Sequence, residues 1–583
     1  QPLMTNIMNG EEQVQYLLSF YDEFQKWKSE KQDQLKAIPQ NLLALAAALD
    51  SKFRPFINHV VKSKHAVGKT EREAFEQRAH KVVEAGLNSF FFPADYLEVD
   101  FLSDSGSSAM TCEQWAQLIQ GDESYGSNEG WPMFNKQIAE TFGEKFASVF
   151  LGLSNNAELN KKYRNRKNFN YLVNQGRGAE SVFFAALADA LVRRDFKTYD
   201  QQHVEYKVVC SNNFFDTTSG HILNINNRSV IAPNGAEFKV TFKLANHPNP
   251  KIKNGTYSEN DLYLGDGDFS ALEQLVSGNP TRVAVCFTTI TNNSGGSQPV
   301  SLKHIQQVSE LCKKHNIPYI MDSCRFAENA FMIQQLEHST KSVQQIVHEI
   351  FQLVDGFTIS LKKDGIANCG GALCLAPQSA AILQFVDQEG GCLLQQIMDT
   401  IILQIGHFTY GALAGRDIKA ICAGLQQVVQ QKYLEGRVGQ VHRFARMLTQ
   451  LGVPVLSPCG TSAVYLDVDK FFGDSKKELR GQYLGNAIVG ISLAAGIRMC
   501  ELGASAFSSP HGNAPYGSPS DVSGNFVRLA IPRQLYSDDD LFAAALWLAF
   551  CFERKDMIKA VADRPNIRQL SLHHFKMMFD FVK

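Results

Sequence analysis

Three segments of this 583-residue sequence place polar residues at the end of an apolar run or at the start of a helical pattern. Asp322 follows one apolar run, and the pair Lys362 and Lys363 comes directly after a second run that ends near Ser360. The glycine-rich segment NQGRGAE (174–180) opens a stretch with helical spacing. In a parallel sheet the carboxyl ends of neighbouring strands meet at one edge, so we expect these segments to lie close together.

A carboxylate, a lysine and a glycine-rich helix start at one sheet edge suit pyridoxal phosphate. The lysine amine forms a Schiff base with the aldehyde, and the carboxylate keeps the ring nitrogen protonated so that the ring can accept electrons. The N–H groups of the helix start and the Arg177 guanidinium can bind the phosphate. Each feature alone also has an ordinary structural explanation, such as a strand cap, a solvated lysine pair or a tight turn. Their order and spacing together favour a cofactor site.

The middle of the chain predicts an α/β fold. Between about residues 207 and 363, apolar runs of strand length alternate with helical patterns. One helical pattern follows Ser301, a suitable N-cap residue. Strand–helix–strand units of this kind imply a mainly parallel sheet with helices on both faces, whose ligands bind beyond the carboxyl ends of the strands. The predicted strands are 208–210, Val283–Thr289, 317–321 and Gly356–Ser360.

Both ends of the chain show different patterns. Residues 11–50 predict an amphipathic helix that packs on the body of the protein or on a second subunit, and residues 430–583 predict a separate, mixed domain with a strand at Ala463–Asp467. Residues 505–525 are rich in Ser, Pro and Gly and predict a mobile loop. The basic stretch 155–170 predicts a solvated surface loop rather than a nucleic-acid patch, because no basic counterpart occurs elsewhere.

The composition excludes several classes of protein. Apolar residues make up 44% and charged residues 20% of the chain, which predicts a folded protein with a large core. A net charge of −2 provides no overall field that would attract nucleic acid or an anionic membrane. The twelve cysteines occur singly, without a C-x-x-C motif, and residues 1–13 lack a secretory pattern. We therefore expect a cytoplasmic protein with free thiols, no membrane span and no nucleic-acid partner.

Six segments of the chain resemble the β-eliminating lyases, the family of pyridoxal-phosphate enzymes that includes tryptophanases and tyrosine phenol-lyases. The resemblance extends in the same order from about residue 52 to the C-terminus. The segments are SDSGSSAM (103–110), GDESYGS (121–127), NQGRGAE (174–180), MDSCRFAENAF (321–331), SLKKD…NCGGALC (360–374) and FVRLAIPR (526–533).

This resemblance implies an architecture and an assembly. It implies a type I pyridoxal-phosphate fold, similar to that of aspartate aminotransferase, and a homotetramer. The large cofactor-binding domain would comprise residues 107–430, with an insertion at about 150–170. The small α+β domain would comprise residues 52–106 and 431–583, and residues 1–51 would form a helical extension.

The resemblance also implies the residues that bind the cofactor. Lys363, the second lysine of its pair, would form the Schiff base, and Asp322 would pair with the pyridine nitrogen. Phe215 would stack on the cofactor ring, and Arg325 would lie near its phenolic oxygen. The residues at the phosphate would be Gln175, Gly176, Arg177, Ser360 and Lys362.

Substrate and cation sites are implied in the same way. Arg528 and Asn293 would hold the carboxylate of an amino-acid substrate, with Ser105 nearby. Tyr125, supplied by a neighbouring subunit, would donate a proton to the leaving group, because an aryl group cannot leave as an anion. A potassium ion would be bound by Glu123 and by the backbone carbonyls of Gly106 and Asn368.

Three features favour an indole over a phenol leaving group. Leu502 is apolar, as in tryptophanases, and His574 before Phe575 resembles their His-Phe pair. Asp216 also fits tryptophanases, since phenol-lyases have threonine there. The expected reaction is therefore β-elimination of L-tryptophan to indole, pyruvate and ammonium. Asp216 and His574 would belong to the catalytic residues, while Leu502 and Phe575 would contact the substrate.

Other functions remain open. Tyrosine, S-substituted cysteine or serine could be the substrate, and an aldolase or aminotransferase can have the same fold, although Tyr125 and the Glu123 motif disfavour those two. A catalytically altered interaction protein on the same fold is the alternative that is not an enzyme. Departures from the family pattern allow for these alternatives: they are the extension, the insertion, Leu361 beside the lysines and Ser462 where the family has histidine.

Overall fold

A computed structural model describes most of the chain. The described residues are 6–32, 70–163, 167–210, 212–386, 393–473, 483–503, 505, 525–564 and 573–583. Large parts of the predicted N-terminal helix and of the predicted loop 505–525 lie outside these residues. No helix in the part that is described combines the length and the apolar composition that a bilayer span requires.

Helices make up most of the regular structure. Those at Glu71–Glu84 and Val343–Gln352 begin at Thr70 and Ser342, which form capping boxes. In chain order the helices are α1 Gly10–Glu30, α2 Glu71–Glu84, α3 Cys112–Ile119, α4 Gly130–Phe142, α5 Ala157–Tyr163, α6 Gly176–Asp195, α7 Asp216–Asn224, α8 Pro250–Asn254, α9 Phe269–Gly278, α10 Leu302–His315, α11 Phe326–Leu336, α12 Val343–Gln352, α13 Ala380–Leu383, α14 Leu393–Gln404, α15 Gly415–Val428, α16 Gln431–Gln450, α17 Val468–Phe472, α18 Leu484–Ala494 and α19 Asp538–Glu553.

Strands form one large and several small sheets. In chain order they are β1 Val99–Asp100, β2 Asn170–Val173, β3 His203–Cys210, β4 Arg228–Ile231, β5 Glu237–Asn246, β6 Val283–Thr289, β7 Tyr319–Asp322, β8 Gly356–Ser360, β9 Gly371–Leu375, β10 Ala463–Asp467, β11 Ile497–Arg498, β12 Cys500–Leu502, β13 Phe526–Ala530, β14 Val561–Asp563 and β15 Phe579–Phe581.

The chain divides into two compact units. The first contains the described residues among 1–48, 57–104 and 436–583, and the second contains those among 49–56 and 105–435. The second unit holds the eight-stranded sheet, whose strand order is β2-β9-β8-β7-β6-β3-β5-β4. Each unit is described by itself below.

The eight-stranded sheet is mainly parallel, as predicted. Strands β5, β3, β6, β7 and β8 run parallel to one another, and every residue of β6, β7 and β8 is buried. Such uninterrupted apolar strands are typical of a sheet that helices cover on both faces. In this register Asp322 lies opposite Thr289 of β6 and Thr358 of β8, so the carboxyl ends of the three strands are aligned.

Two features of the second unit differ from the sequence predictions. Strands β2, β9 and β4 pair antiparallel with their neighbours, so the sheet is mixed at its edges. The basic stretch predicted as a surface loop contains helix α5, because Tyr163 at its end is buried and packs against Phe169. The cations Lys162 and Lys167 lie over the ring of Tyr163, which holds part of the basic stretch against this core.

The first unit has its own apolar core. Helix α1 buries Phe20 and Trp27, and the rings of both lie within 6.3 Å of the Phe550 ring of α19. Strands β10, β13 and β12 form an antiparallel sheet beside this helical layer. The predicted packing of the N-terminal helix on the body of the protein is confirmed for α1, because its apolar stripe faces α19.

A buried ion cluster also stabilises the first unit. The Asp104 carboxylate lies 3.0 Å from the Arg533 guanidinium and 3.7 Å from that of Arg437, and all three side chains are buried. Removing the Asp104 carboxylate would take a nearby negative charge away from two buried cations. Such a loss costs far more than the loss of an exposed pair.

We expect Asp104→Asn to lower the free energy of unfolding by about 3 kcal/mol, because two buried guanidinium groups lose their counter-ion. Urea unfolding followed by tryptophan fluorescence measures this change. Asp22→Asn, which breaks the exposed pair with Arg72, is the matched control and should change the same quantity by less than about 1 kcal/mol. Equal effects of the two variants would contradict the stabilising role of the buried cluster.

Candidate active site

A cavity lies at the carboxyl ends of the central parallel strands in the second unit. It is bounded by the ends of β6, β7 and β8, by the start of α6 and by the residues that precede α7. Ten of the residues that the sequence analysis selected line it: Ser105, Gln175, Gly176, Arg177, Phe215, Asn293, Asp322, Arg325, Ser360 and Lys363.

The start of α6 packs directly on the end of β8 and on the first residue of β9. A Cβ atom on Gly176 would lie 2.8 Å from the Cβ of Ser360, and one on Gly371 would lie 2.3 Å from the carbonyl carbon of Gln175. Only glycine allows this close approach of the backbones. The Gln175 side chain does not cap the helix, so the first N–H groups of α6 are directed to the cavity edge without that competitor.

Cations are concentrated on the same side of the cavity. Burial lowers the pKa of Lys362, and the neighbouring positive charges of Arg177 and Lys363 lower it further. The Lys362 chain lies beside Gly106, where an added Cβ would be 2.5 Å from the lysine Cε. These positive charges repel one another, and a bound anionic group would offset that repulsion.

Asp322, the last residue of β7, lines the same cavity. It is buried, and its Oδ1 accepts a hydrogen bond of 2.9 Å from the Cys324 thiol. Burial and the adjacent Asp322 raise the pKa of Cys324 to about 12, so the thiol keeps its proton and remains a donor. Asp322 is thereby held in one orientation at the end of β7.

The amine of Lys363 faces the ring of Phe215. Its Nζ lies 5.9 Å from the ring centroid, and both side chains line the cavity. Phe215 is the N-cap residue of α7, so the ring position depends on how that helix is anchored. An amine and an aromatic face at this separation leave room for a planar ring between the aromatic face and the strand ends.

The residues of the cavity fit pyridoxal phosphate. The α6 start, Arg177 and Ser360 line the cavity and match the needs of a phosphate, whereas the predicted phosphate residue Lys362 lies beside Gly106, outside the lining. At Gly176 and Gly371 any side chain would overlap Ser360 or the backbone of Gln175, so both positions require glycine. An acid and an amine at the other positions match a pyridine nitrogen and an aldehyde.

Several predicted residues of the second unit lie outside the cavity lining. Tyr125 is 83% exposed, and its ring lies 5.7 Å from the rings of His407 and Tyr410. Glu123 pairs with Arg416 at 2.6 Å. Asp216 is the first residue of α7.

The two predicted carbonyl ligands of the cation are near each other. A Cβ on Gly106 would lie 3.0 Å from the Asn368 carbonyl oxygen, and the Asn368 amide donates to the Gly106 carbonyl at 2.9 Å. Among the described residues no group of three or more His, Cys, Asp or Glu side chains could hold a metal ion. A cation here would therefore depend on backbone oxygens.

The remaining predicted residues belong to the first unit. Arg528 lies on β13, where its Nη2 donates to the Leu102 carbonyl at 2.8 Å. Its buried Nε has no hydrogen-bond partner among the residues that are described. Leu502 ends β12, and the ring of Phe575 packs against Phe90 and lies 4.0 Å from the ring of His574.

Sequence reasoning missed six residues that line the cavity. Cys324 and Glu180 lie within two of the motifs quoted above. Their closeness in sequence to Asp322 and Arg177 was the only sign that they reach the cavity. The others follow strand or loop ends whose approach to the cavity depends on the tertiary fold. The missed residues are Glu180, Thr217, Thr289, Ile290, Asn292 and Cys324.

The chain is similar to known proteins over most of its length. Residues 100–545 match the sequence model of the family described as beta-eliminating lyase. A tryptophanase of Salinibacter ruber is 31% identical over 90% of this chain and 96% of its own length, and one of Hyphomonas neptunium is 32% identical over 89% and 98%. A tyrosine phenol-lyase of Fusobacterium nucleatum is 29% identical over 86% and 93%.

We expect Gly371→Ala to weaken binding of pyridoxal phosphate at least about tenfold. The added methyl group would overlap the backbone of Gln175 and push the start of α6 away from the cavity, and such overpacking costs about 1–3 kcal/mol. Equilibrium titration of the cofactor by absorbance measures the affinity. Gly278→Ala is the control, because an added Cβ there meets no atom within 4 Å; wild-type affinity in Gly371→Ala would disprove the role of this contact.

Proposed function

This chain belongs to the β-eliminating lyase family, and from that premise we propose that it cleaves L-tryptophan to indole, pyruvate and ammonium with pyridoxal phosphate. The observation that carries the proposal is the cavity that combines Lys363, Asp322 and Arg177 at the carboxyl edge of one sheet. These three groups can hold an aldehyde, a pyridine nitrogen and a phosphate. The ring of Phe215 lines the same cavity.

Pyridoxal phosphate, when bound, would supply the electron sink that makes cleavage at Cβ possible. Lys363 would hold the cofactor through its Nζ and then, once free, take the proton from the substrate Cα. Asp322 would keep a proton on the pyridine nitrogen, and its hydrogen bond from Cys324 supports one fixed orientation. Phe215 would hold one face of the ring.

The substrate carboxylate would be bound by Arg528, with Asn293 and Ser105. The buried Nε of Arg528, which lacks a hydrogen-bond partner within the described part of the chain, supports this assignment. A guanidinium binds a carboxylate through two parallel hydrogen bonds, and such pairs combine strength with a defined orientation. Arg528 would therefore fix the substrate Cα relative to the cofactor.

Proton delivery to the leaving group would come from Tyr125 of a neighbouring copy of the chain. Tyr125 is 83% exposed in a single chain, so another copy of the chain can reach its ring, although its hydroxyl has a hydrogen bond with Tyr410. This arrangement requires an oligomer, and we propose a homotetramer. Tyr125 would donate its proton to the ring carbon from which Cβ departs.

Indole rather than phenol is the proposed leaving group. Leu502, His574 before Phe575, and Asp216 have the residue types that resemble tryptophanases, and two of the relatives reported above are named tryptophanase. The similarity to a tyrosine phenol-lyase at 29% identity keeps elimination from tyrosine or S-substituted cysteine as the second candidate. Asp216 and His574 would act on the indole ring.

A potassium ion and a cytoplasmic location complete the proposal. The proximity of Gly106 to the Asn368 carbonyl oxygen supports a cation there, and Glu123 would have to exchange its partner Arg416 for the ion. Ten cysteines of the described residues are free thiols, which supports a reducing compartment. A small amino acid is the only partner proposed besides further copies of the chain.

We expect the wild-type protein, supplied with pyridoxal phosphate and potassium, to release indole and pyruvate from L-tryptophan in equal amounts. Lys363→Ala should lose both products and the visible absorption band of the lysine-linked cofactor, because no other amine is placed at Phe215. Lys303→Ala, on the exposed face of α10, is the control. Product from L-tyrosine but not from L-tryptophan would replace the proposed substrate with the second candidate.

Replacing potassium by sodium should lower the rate of product release in the wild type. Glu123→Gln should lose this dependence on the type of cation, because the neutral amide no longer completes the site with two backbone carbonyls. Initial rates at constant ionic strength measure the effect. A rate that is the same in both salts would remove potassium from the proposal and leave the lyase reaction untouched.

A further inference from the structure

Two carboxyl groups from different elements line the same cavity. Asp322 ends β7, whereas Glu180 lies in the second turn of α6, and both side chains are 5% exposed. The proposed reaction uses Asp322 and assigns nothing to Glu180. A second buried carboxyl group in such a small cavity requires a physical reason, because burying a charge is costly unless it is paired.

Both oxygens of Glu180 contact the first turn of α7. The Thr217 hydroxyl donates to Oε2 at 3.1 Å, and the Thr218 hydroxyl donates to Oε1 at 2.5 Å. Glu180 therefore joins α6, which carries the predicted phosphate residues, to α7. The two threonines follow Phe215 by two and three positions, so the joint lies within one helical turn of the ring that faces Lys363.

Few side-chain contacts cap the start of α7 itself. Its N-cap residue, Phe215, cannot cap the helix with a side-chain hydrogen bond. The Ser219 hydroxyl and amide both bond back to the Phe215 carbonyl at 3.1 Å, which closes the first turn within the helix, and the Phe214 amide just before it donates to Asn246 of β5 at 3.3 Å. The contact with Glu180 is the polar link that joins this turn to α6.

The surroundings of Glu180 favour its protonated form. Burial and the nearby Asp322 raise the pKa of Glu180 to about 8, against the opposing effects of the threonine hydroxyls and Lys363. The raised pKa reduces the cost of burying this carboxyl group at neutral pH. A protonated carboxyl group still bonds to both hydroxyls, since a hydroxyl can donate or accept.

We propose that Glu180 is a positioning residue that fixes the Phe215 turn of α7 to α6, and so sets the spacing between the ring that covers the cofactor and the groups that bind its phosphate. This inference rests on the proposed function, because it concerns the same cofactor. The hydrogen bonds of Glu180 go to Thr217 and Thr218 rather than to the Lys363 amine. Glu180 acts through Phe215.

The test measures the affinity of the protein for pyridoxal phosphate by equilibrium dialysis and the visible circular dichroism of the bound cofactor, which reports how its ring is held. Glu180→Ala should raise the dissociation constant at least about tenfold and reduce the dichroism signal, because both links to α7 are lost. Glu180→Gln keeps an acceptor and a donor at the same positions, so its affinity should stay within about threefold of the wild type.

The control is Glu328→Gln, which changes another buried glutamate, on α11, that does not line the cavity. It should leave the affinity and the dichroism unchanged. Thermal unfolding of each cofactor-free variant shows whether it is folded. If Glu180→Ala does not fold, Thr218→Ala removes the shorter of the two links and should raise the dissociation constant about threefold or more.

Two results would overturn the proposal. One is wild-type affinity and dichroism in Glu180→Ala, or in Thr218→Ala when the first variant does not fold. The other is an equal loss in Glu180→Gln and Glu180→Ala, which would assign the effect to the ionisable group rather than to the link. A wild-type protein that fails to bind the cofactor would instead reject the proposed function.

Discussion

The close contact of the start of α6 with the end of β8 and the first residue of β9 is the constraint on which the rest of the site depends. Gly176 and Gly371 allow backbones to approach to distances that no side chain permits. This contact brings the free N–H groups of a helix beside Ser360 and the lysine pair that follows it. Because these strands are buried on both faces, their carboxyl ends cannot shift without disturbing the core. The site residues at those ends are therefore held in fixed positions.

Electrostatics also links the titratable groups of the site. Burial lowers the pKa of Lys362, and the positive charges of Arg177 and Lys363 lower it further. Burial and Asp322 raise the pKa of Glu180, and Lys363 opposes that rise. Several perturbed groups close to one another are typical of a functional site rather than of a structural core.

The central strands could be predicted from the sequence because a strand buried on both faces is a nearly continuous run of apolar residues. Strands β6, β8 and β10 have the predicted bounds, and Ser301 caps α10 as expected. The antiparallel strands β2, β9 and β4 and the helix α5 were not predicted, since segments of four to seven residues are too short to show a distinctive period. Glu180 was missed for a different reason: its partners are 37 and 38 residues away, and only the tertiary fold shows that its carboxyl group faces α7 rather than solvent.

Several contacts besides those of the tyrosine ring order the loop that carries Tyr125. The Ser124 side chain and the backbone N–H groups of Glu129 and Ser124 donate to the Asp122 carboxylate and lower its pKa, and the Ser127 amide donates to Thr409 at 3.0 Å. An exposed aromatic side chain normally gains burial from an ordered loop, yet this ring stays 83% exposed. Because the backbone of this loop is already ordered, a later contact made by the exposed Tyr125 ring would cost less conformational entropy. That is the property expected of a residue that completes the site of a neighbouring subunit, as the proposed proton transfer requires.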